Sequence, residues 1–389
     1  MKINFFLVVI IIALSQVLSV LRLSGIYNTS NIITLLIGVN GTMFLIIFLL
    51  NILIKKHKVC IDELIFIFYI TFLFFVSIII YKNNSLEIFI DYFNFLVFLS
   101  ILNLNFRKLL NESGYKIYIV LIGALIISLI SYLFINKLGY TVGTGKTSIQ
   151  MLYLYIYDLV FIRKNIIISF LLLFWAQKRG VLIAVLIVSI ISYILNNGKK
   201  SWKKILIIFF SSFVLVVAIK FNSNLDNMKY IPIFSKAMFV KFNRINPLNS
   251  NKDLKEKDPR VVEIKSALKK IDSNLKILIG TGLGATYEHI YSNGKVDIKK
   301  NIHISPISLL YKIGIIGTIL FYKLIFKYLF KLRYKNLGPM EKICYFYVIG
   351  GIINSITAYT YFVDYLFIIC LAVLKKTYKI NYKGEKNVK

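Results

Sequence analysis

Lys178 and Arg179 stand side by side in the stretch FWAQKRGVLIAVLI, residues 174–187, inside an apolar run from about 166 to 195. Two adjacent cations there either mark a turn between membrane helices or are held in place to bind an anion. A helix starting at Ile166 reaches Gln177 after about 12 residues, roughly 18 Å at the α-helical rise. That is short of the roughly 30 Å hydrocarbon thickness. The pair then lies recessed below the outer surface, where a buried cation needs an anionic partner. A snorkelling turn is the plainer reading; an anion site reached from outside is the chemical one.

Lys146 supplies a further outer cation, in Gly143-Thr144-Gly145-Lys146-Thr147. This run looks like the end of a phosphate-binding P-loop, but Tyr140 stands where the first glycine belongs and no strand precedes it. It is read as a short outer loop whose lysine can face a shared pocket. Gly280-Thr281-Gly282-Leu283-Gly284 permits sharp turning and close backbone approach. A flexible turn and a ligand-contacting turn fit it equally. Asp91, Asp158 and Asp364 fall within apolar runs, where acids invite a functional or pairing role. The simplest pairing is of one or more of them with Lys178 or Arg179. Cys60, Cys344 and Cys370 have no pairing or metal-ligand spacing and read as apolar filler.

The elements that must position these residues are membrane helices. The 389 residues are 58% hydrophobic, with a mean hydropathy of +0.74, and the apolar runs lack the period-two alternation of a barrel strand. In lipid that leaves helices, which satisfy their own backbone groups. The fold class expected is an all-α polytopic membrane protein with about twelve spans. They fall near 3–21, 32–54, 61–81, 88–105, 115–136, 148–162, 166–177, 180–196, 205–220, 304–325, 343–358 and 361–374. The first is read as a retained helix, since no small-residue cleavage site follows it.

The net charge of +31 suggests nucleic acid, but its distribution follows topology. With the N-terminus inside, the short cytoplasmic segments hold 24 basic residues and the short outer loops six. This positive-inside bias puts both termini in the cytoplasm. The chain then divides into spans 1 to 9 (1–220), a large extracytoplasmic loop (221–303), spans 10 to 12 (304–374) and a basic cytoplasmic tail (375–389). A loop of that length is functional or disordered. Val261, Ile264, Leu268, Ile271 and Leu275 recur in it at spacings of three and four, which predicts an amphipathic helix starting near Asp258-Pro259. An ordered helix argues against a floppy linker.

In order along the chain come the Gln177-Lys178-Arg179-Gly180 turn opening an apolar helix, the outer loop with Arg260 and the amphipathic helix, and Ile279-Gly280-Thr281-Gly282-Leu283-Gly284. His303-Ile304-Ser305 follows, and Gly314-Ile315-Ile316-Gly317 begins eleven residues after the histidine. This arrangement resembles the O-antigen polymerase/ligase superfamily, the Wzy-type polysaccharide polymerases and O-antigen ligases, over about 165 to 320. Lys178 stands where that family has a small residue such as serine, and Ile304 where it has asparagine.

The resemblance implies a GT-C-like fold and a glycosyltransferase with no metal and no cofactor, acting on the outer face of the bacterial cytoplasmic (inner) membrane. Its donor would be a glycan on an undecaprenyl diphosphate carrier, in O-antigen, lipopolysaccharide or capsule synthesis. Arg179 and Arg260 would bind the leaving diphosphate, since arginine is the better bidentate phosphate ligand. Lys178 would assist, with Lys146 and Gly280, Gly282 and Gly284 at the substrate. His303 is the first candidate for the base, with Glu288 or His289 in reserve. Expected partners are the lipid-linked oligosaccharide, membrane lipid, a chain-length regulator and a flippase, and no nucleic acid. A polymerase is preferred to a ligase. A flippase for the same lipid-linked glycan is the competing class, disfavoured because the polarity gathers in one asymmetric outer loop instead of repeat halves.

Overall fold

The computed structural model describes residues 60–107, 147–162, 179–197, 259–290, 296–356 and 364–387, with single positions at 46, 110, 115, 118–119, 121–123 and 361–362. Lys146, Lys178, most of the spans expected before residue 60, and the first part of the large loop lie outside the described residues.

The described chain is mostly helical. Three of its helices are long and apolar enough to cross a membrane: α1 (Ile61–Ile79), α2 (Ser85–Asn103) and α7 (Ser305–Lys331). Between α2 and α7 come α3 (Thr147–Tyr157), which runs into a π-helical turn at Asp158–Ile162, α4 (Arg179–Asn197), α5 (Pro259–Leu268) and α6 (Asn274–Ile279). A hairpin of β1 (Tyr287–Ile290) and β2 (Val296–Lys299) follows, then α7, α8 (Pro339–Ser355) and α9 (Tyr365–Asn387). The basic tail expected from residue 375 continues as the last turns of α9. Its first lysine, Lys375, is buried against Glu63 and Asn103.

Two expectations are corrected here. The helices are joined by an antiparallel hairpin pairing Tyr287 with Lys299 and Ile290 with Val296, so the fold is not purely α. The apolar stripe from Val261 to Leu275 is not one helix. Ordered turns close after Leu268, and Ser273 starts a new helix by accepting from the Lys276 amide. Ile264 and Ile271 pack with Ala267 onto a small core of Ala285, Tyr287, Ile302 and Tyr311, while Val261, Leu268 and Leu275 stay exposed. That small core ties α5, the hairpin and the start of α7 into one unit.

The break inside α7 sets where this unit docks. At Gly314 the backbone takes φ 65° and ψ −173°, and the helix is interrupted. Non-helical backbone at membrane depth is tolerated only when buried in protein and supplied with partners. The segment Gly280–Gly284 supplies them. Thr281 donates its amide (2.8 Å) and hydroxyl (2.8 Å) to the Tyr311 carbonyl, and the Gly282 amide donates to the Lys312 carbonyl. Tyr69 of α1 donates to the Ile313 carbonyl at 2.6 Å. Gly280 also has positive φ, and a Cβ there would sit 2.6 Å from the Gly314 amide nitrogen. Each of these two glycines occupies the space a side chain on the other would need.

The same turn is clamped from the α1–α2 hairpin. Asn83 donates to the carbonyls of Thr281 (3.1 Å) and Leu283 (2.9 Å), and the Leu283 amide donates to the Ser77 hydroxyl. At the far ends of these helices Asp62 meets Lys323 and Lys327, and Arg107 meets Glu341. The large aromatic core, including Phe66, Phe95, Phe98, Phe321 and Phe362, lies between the two levels.

Candidate functional site

Glu263 lies on α5, one turn after Arg260 in the direction that puts both on one helix face. It is 1% exposed, and an acid so buried needs donors. They arrive from three directions. Tyr287 of β1 donates its hydroxyl to Oε1 at 2.7 Å. The His303 amide donates to Oε2 at 3.2 Å, and the His303 ring meets the same oxygen through Nδ1 at 2.8 Å. Lys299 of β2 stands 3.8 Å from Oε1. Burial opposes the charge on Glu263, but the hydrogen bonds from His303 and Tyr287 outweigh it and bring its pKa down to about 2. The carboxylate is therefore ionised at neutral pH.

His303 is held at Nδ1 while its side chain stays 60% exposed. A carboxylate at Nδ1 favours the tautomer with the proton there and leaves the Nε2 lone pair to accept a proton. His303 and Glu263 therefore form a pair in which a buried carboxylate orients an exposed ring. The other two candidates from this region differ. His289 is buried on the inner face of β1, and burial followed by the charge of Lys299 lowers its pKa. Glu288 is on the exposed face of β1, opposite Ile298.

A second polar centre lies within α7, nine residues after His303. Lys312, 5% exposed, donates to both oxygens of Asp91 at 2.7 Å and to the Asn301 side-chain oxygen at 2.7 Å. The Gly284 amide donates to Asp91 Oδ2 at 2.8 Å. The third glycine of the turn thus feeds a carboxylate directly, while the first sits at the helix break. Asn301 adjoins both centres, because its backbone carbonyl lies 3.1 Å from the Tyr287 hydroxyl that donates to Glu263. Glu87 and Lys300 pair at the surface beside them.

The predicted residues are distributed as follows. Gly280, Gly282, Gly284, Glu288, His289 and His303 come together in the loop unit, with exposed Arg260 on the α5 face that carries Glu263. Arg179 begins α4, and its side chain is outside the described residues, as are Lys178 and Lys146. Asp91 takes Lys312 as its cation, and the pairing expected with Lys178 or Arg179 falls on side chains outside the described residues. Asp364 accepts from Tyr347, and Asp158 from Tyr118.

Sequence reasoning missed Glu263, Tyr287, Asn301 and Lys312. Lys312 was open to the signal that singled out Asp91, an ionisable residue within an apolar run. Glu263 follows Arg260 at the spacing of helical neighbours. Tyr287 and Asn301 carried no signal, because their role comes from the hairpin register. Among the described residues no three His, Cys, Asp or Glu side chains gather as a metal site.

Residues 165–322 match the family model described as O-antigen ligase. This is the superfamily the sequence resembles, and the matched stretch takes in Arg179, Arg260, Glu263, the glycine turn, His303 and the break in α7. No curated protein and no solved structure matches the chain.

Proposed function

Starting from a chain whose stretch 165–322 carries an O-antigen ligase domain, we propose a membrane glycosyltransferase that moves a glycan from an undecaprenyl diphosphate carrier to a sugar hydroxyl. The observation that carries this reading is His303 fixed at Nδ1 by the buried carboxylate of Glu263 beside an exposed ring. In the reaction the acceptor oxygen attacks the anomeric carbon of the donor. The bond from that carbon to the phosphate oxygen breaks, and the electron pair leaves with the lipid diphosphate. The proton of the acceptor hydroxyl goes to His303 Nε2, and the imidazolium is stabilised by Glu263.

The departing diphosphate needs fixed cations. Arg260, on the helix face that carries Glu263, and Arg179, at the start of α4, take that role, with Lys178 assisting Arg179. His289 supports the hairpin and is not the base, because its ring is buried. In this reading the site faces the outer side of the cytoplasmic membrane, which the charge bias of the short loops supports.

The acceptor is a second lipid-linked repeat unit, which makes the protein a polymerase. The family description favours transfer to a different acceptor as the second reading. Purified protein supplied with lipid-linked repeat units, and its products sized by gel, separates the two. A ladder supports the polymerase; a single transfer seen only when a distinct acceptor is added supports the ligase.

A further inference from the structure

The surface formed by α6 and the end of α5 is apolar on its outside: Leu268, Leu275, Ile277 and Leu278 are all exposed. Their depth follows from α7. Lys327 pairs with Asp62, at the start of α1, and marks one face of the bundle. Gly314 lies about 20 Å from Lys327 at the α-helical rise. That is short of the roughly 30 Å hydrocarbon thickness, so the break in α7 lies inside the bilayer. The end of α6 docks there, since a Cβ on Gly314 would meet the Leu278 carbonyl oxygen and the Gly280 amide nitrogen. Ile277 and Leu278 are therefore level with acyl chains. At the start of α6 the charges of Lys276 and Asp272 bear on Tyr81, just past the end of α1. The polar end of α6 is thus toward the membrane surface and its apolar end is in the hydrocarbon. Lys269 and Lys270, both exposed, close α5 just before that polar end.

We propose that α6 seats its exposed face among the acyl chains of the bilayer and that Lys269 and Lys270 bind the headgroup of an acidic phospholipid beside it. Apolar side chains below a basic rim are the pattern of a helix held at a membrane interface. Continuity favours lipid as the occupant: just past the break, α7 itself exposes Ile315, Ile316 and Ile319, the apolar surface of a membrane-crossing helix. Charge selects the headgroup. Of the two acids in residues 259–279, Glu263 is buried against His303 and Asp272 is paired with Lys276. Lys269 and Lys270 therefore leave this edge positive, and an acidic headgroup is attracted where a zwitterionic one is not. The contact bears on the site because α5 also carries Glu263. A phospholipid that holds the end of α5 fixes the depth at which Glu263 presents His303.

The test uses the full chain in lipid nanodiscs free of carrier lipid and sugar, so it stands apart from the glycan reading. Leu278→Trp places an indole on the exposed face, and the signal of Trp175 and Trp202 is subtracted with the unsubstituted protein. Phosphatidylcholine brominated on its acyl chains should quench the new fluorescence, and acrylamide in the water should not. Leu275→Trp, on the same face, repeats the measurement and guards against misfolding of the first variant. Quenching by acrylamide without quenching by the brominated lipid would put the face in water. Shielding from both would mean that protein covers it, a second copy of the chain included. Either result overturns the seating. For the headgroup, brominated phosphatidylglycerol diluted in phosphatidylcholine is compared with the reverse mixture. Phosphatidylglycerol should be preferred, and Lys269→Gln and Lys270→Gln should each lower the preference about fivefold, the worth of one lysine beside an acidic bilayer surface. No preference, or one that survives both substitutions, would overturn the acidic-lipid site.

Discussion

The imidazole Nδ1 of His303 stands 2.8 Å from Oε2 of Glu263, a carboxylate forty positions earlier that is almost wholly buried. The two meet because α5 and the hairpin fold onto the start of α7 around Tyr287 and Tyr311. His303→Ala should lower glycan transfer by about 10²–10⁴-fold, the usual worth of a general base. Glu263→Gln keeps the shape but removes the charge that orients the ring, so a smaller loss in the same direction is expected. Initial rates of product formation check both, and full activity in His303→Ala would remove the histidine from the mechanism.

The fit of the turn against α7 rests on two glycines. Gly280→Ala and Gly314→Ala each place a Cβ against backbone at a positive φ. Each should cost at least about 1–3 kcal/mol from backbone strain alone, read as a lower melting temperature in detergent. Wild-type melting in either variant would mean that the break in α7 is not locked by the turn.

Lys312 and Asp91 should behave as a unit. Lys312→Met leaves a buried carboxylate without its cation, at a cost of about 3–5 kcal/mol. Adding Asp91→Asn should recover much of the loss, because the amide carries no charge to strand and can still accept from the Gly284 amide. A double-mutant cycle on melting temperature measures this, and strict additivity would argue against a coupled pair.

Acid should release the loop unit first. The folded pKa of Glu263 is depressed to about 2 from 4.5. Its stabilisation is therefore complete above about pH 4.5 and is lost as pH falls toward 2. The protection of α5 and the hairpin against hydrogen exchange, taken relative to the intrinsic amide rate at each pH, should fall in wild type between pH 5 and pH 2.5. In Glu263→Gln that pH dependence should be much weaker, since the titrating group is gone.

How much of this was legible in the sequence depended on locality. Apolar runs announced α1, α2 and α7, and Pro259 marked the start of α5, because span length and helix initiation are read over neighbouring residues. The glycine turn was visible as a turn, but its partner was not. The backbone break at Gly314 that it supplies lies some thirty residues on, and a positive φ inside an apolar helix has no signature beyond the glycine itself. The amphipathic stripe misled for a similar reason. Ile271 keeps the helical spacing after the helix has ended, since it packs on the same small core from a turn. Asp91 stood out as an acid in lipid, yet its cation sat in a different run, and nothing local joins positions 91 and 312.

The central claim is transfer from a lipid diphosphate donor, and one assay reaches it most directly. Purified full-length protein in proteoliposomes would be given undecaprenyl diphosphate-linked repeat units without added nucleotide or divalent metal, with products sized by gel. Chain growth in wild type that is lost in His303→Ala is the predicted result. Transport of the intact lipid-linked unit across the bilayer with no new glycosidic bond, equal in both proteins, would contradict it and identify a flippase instead.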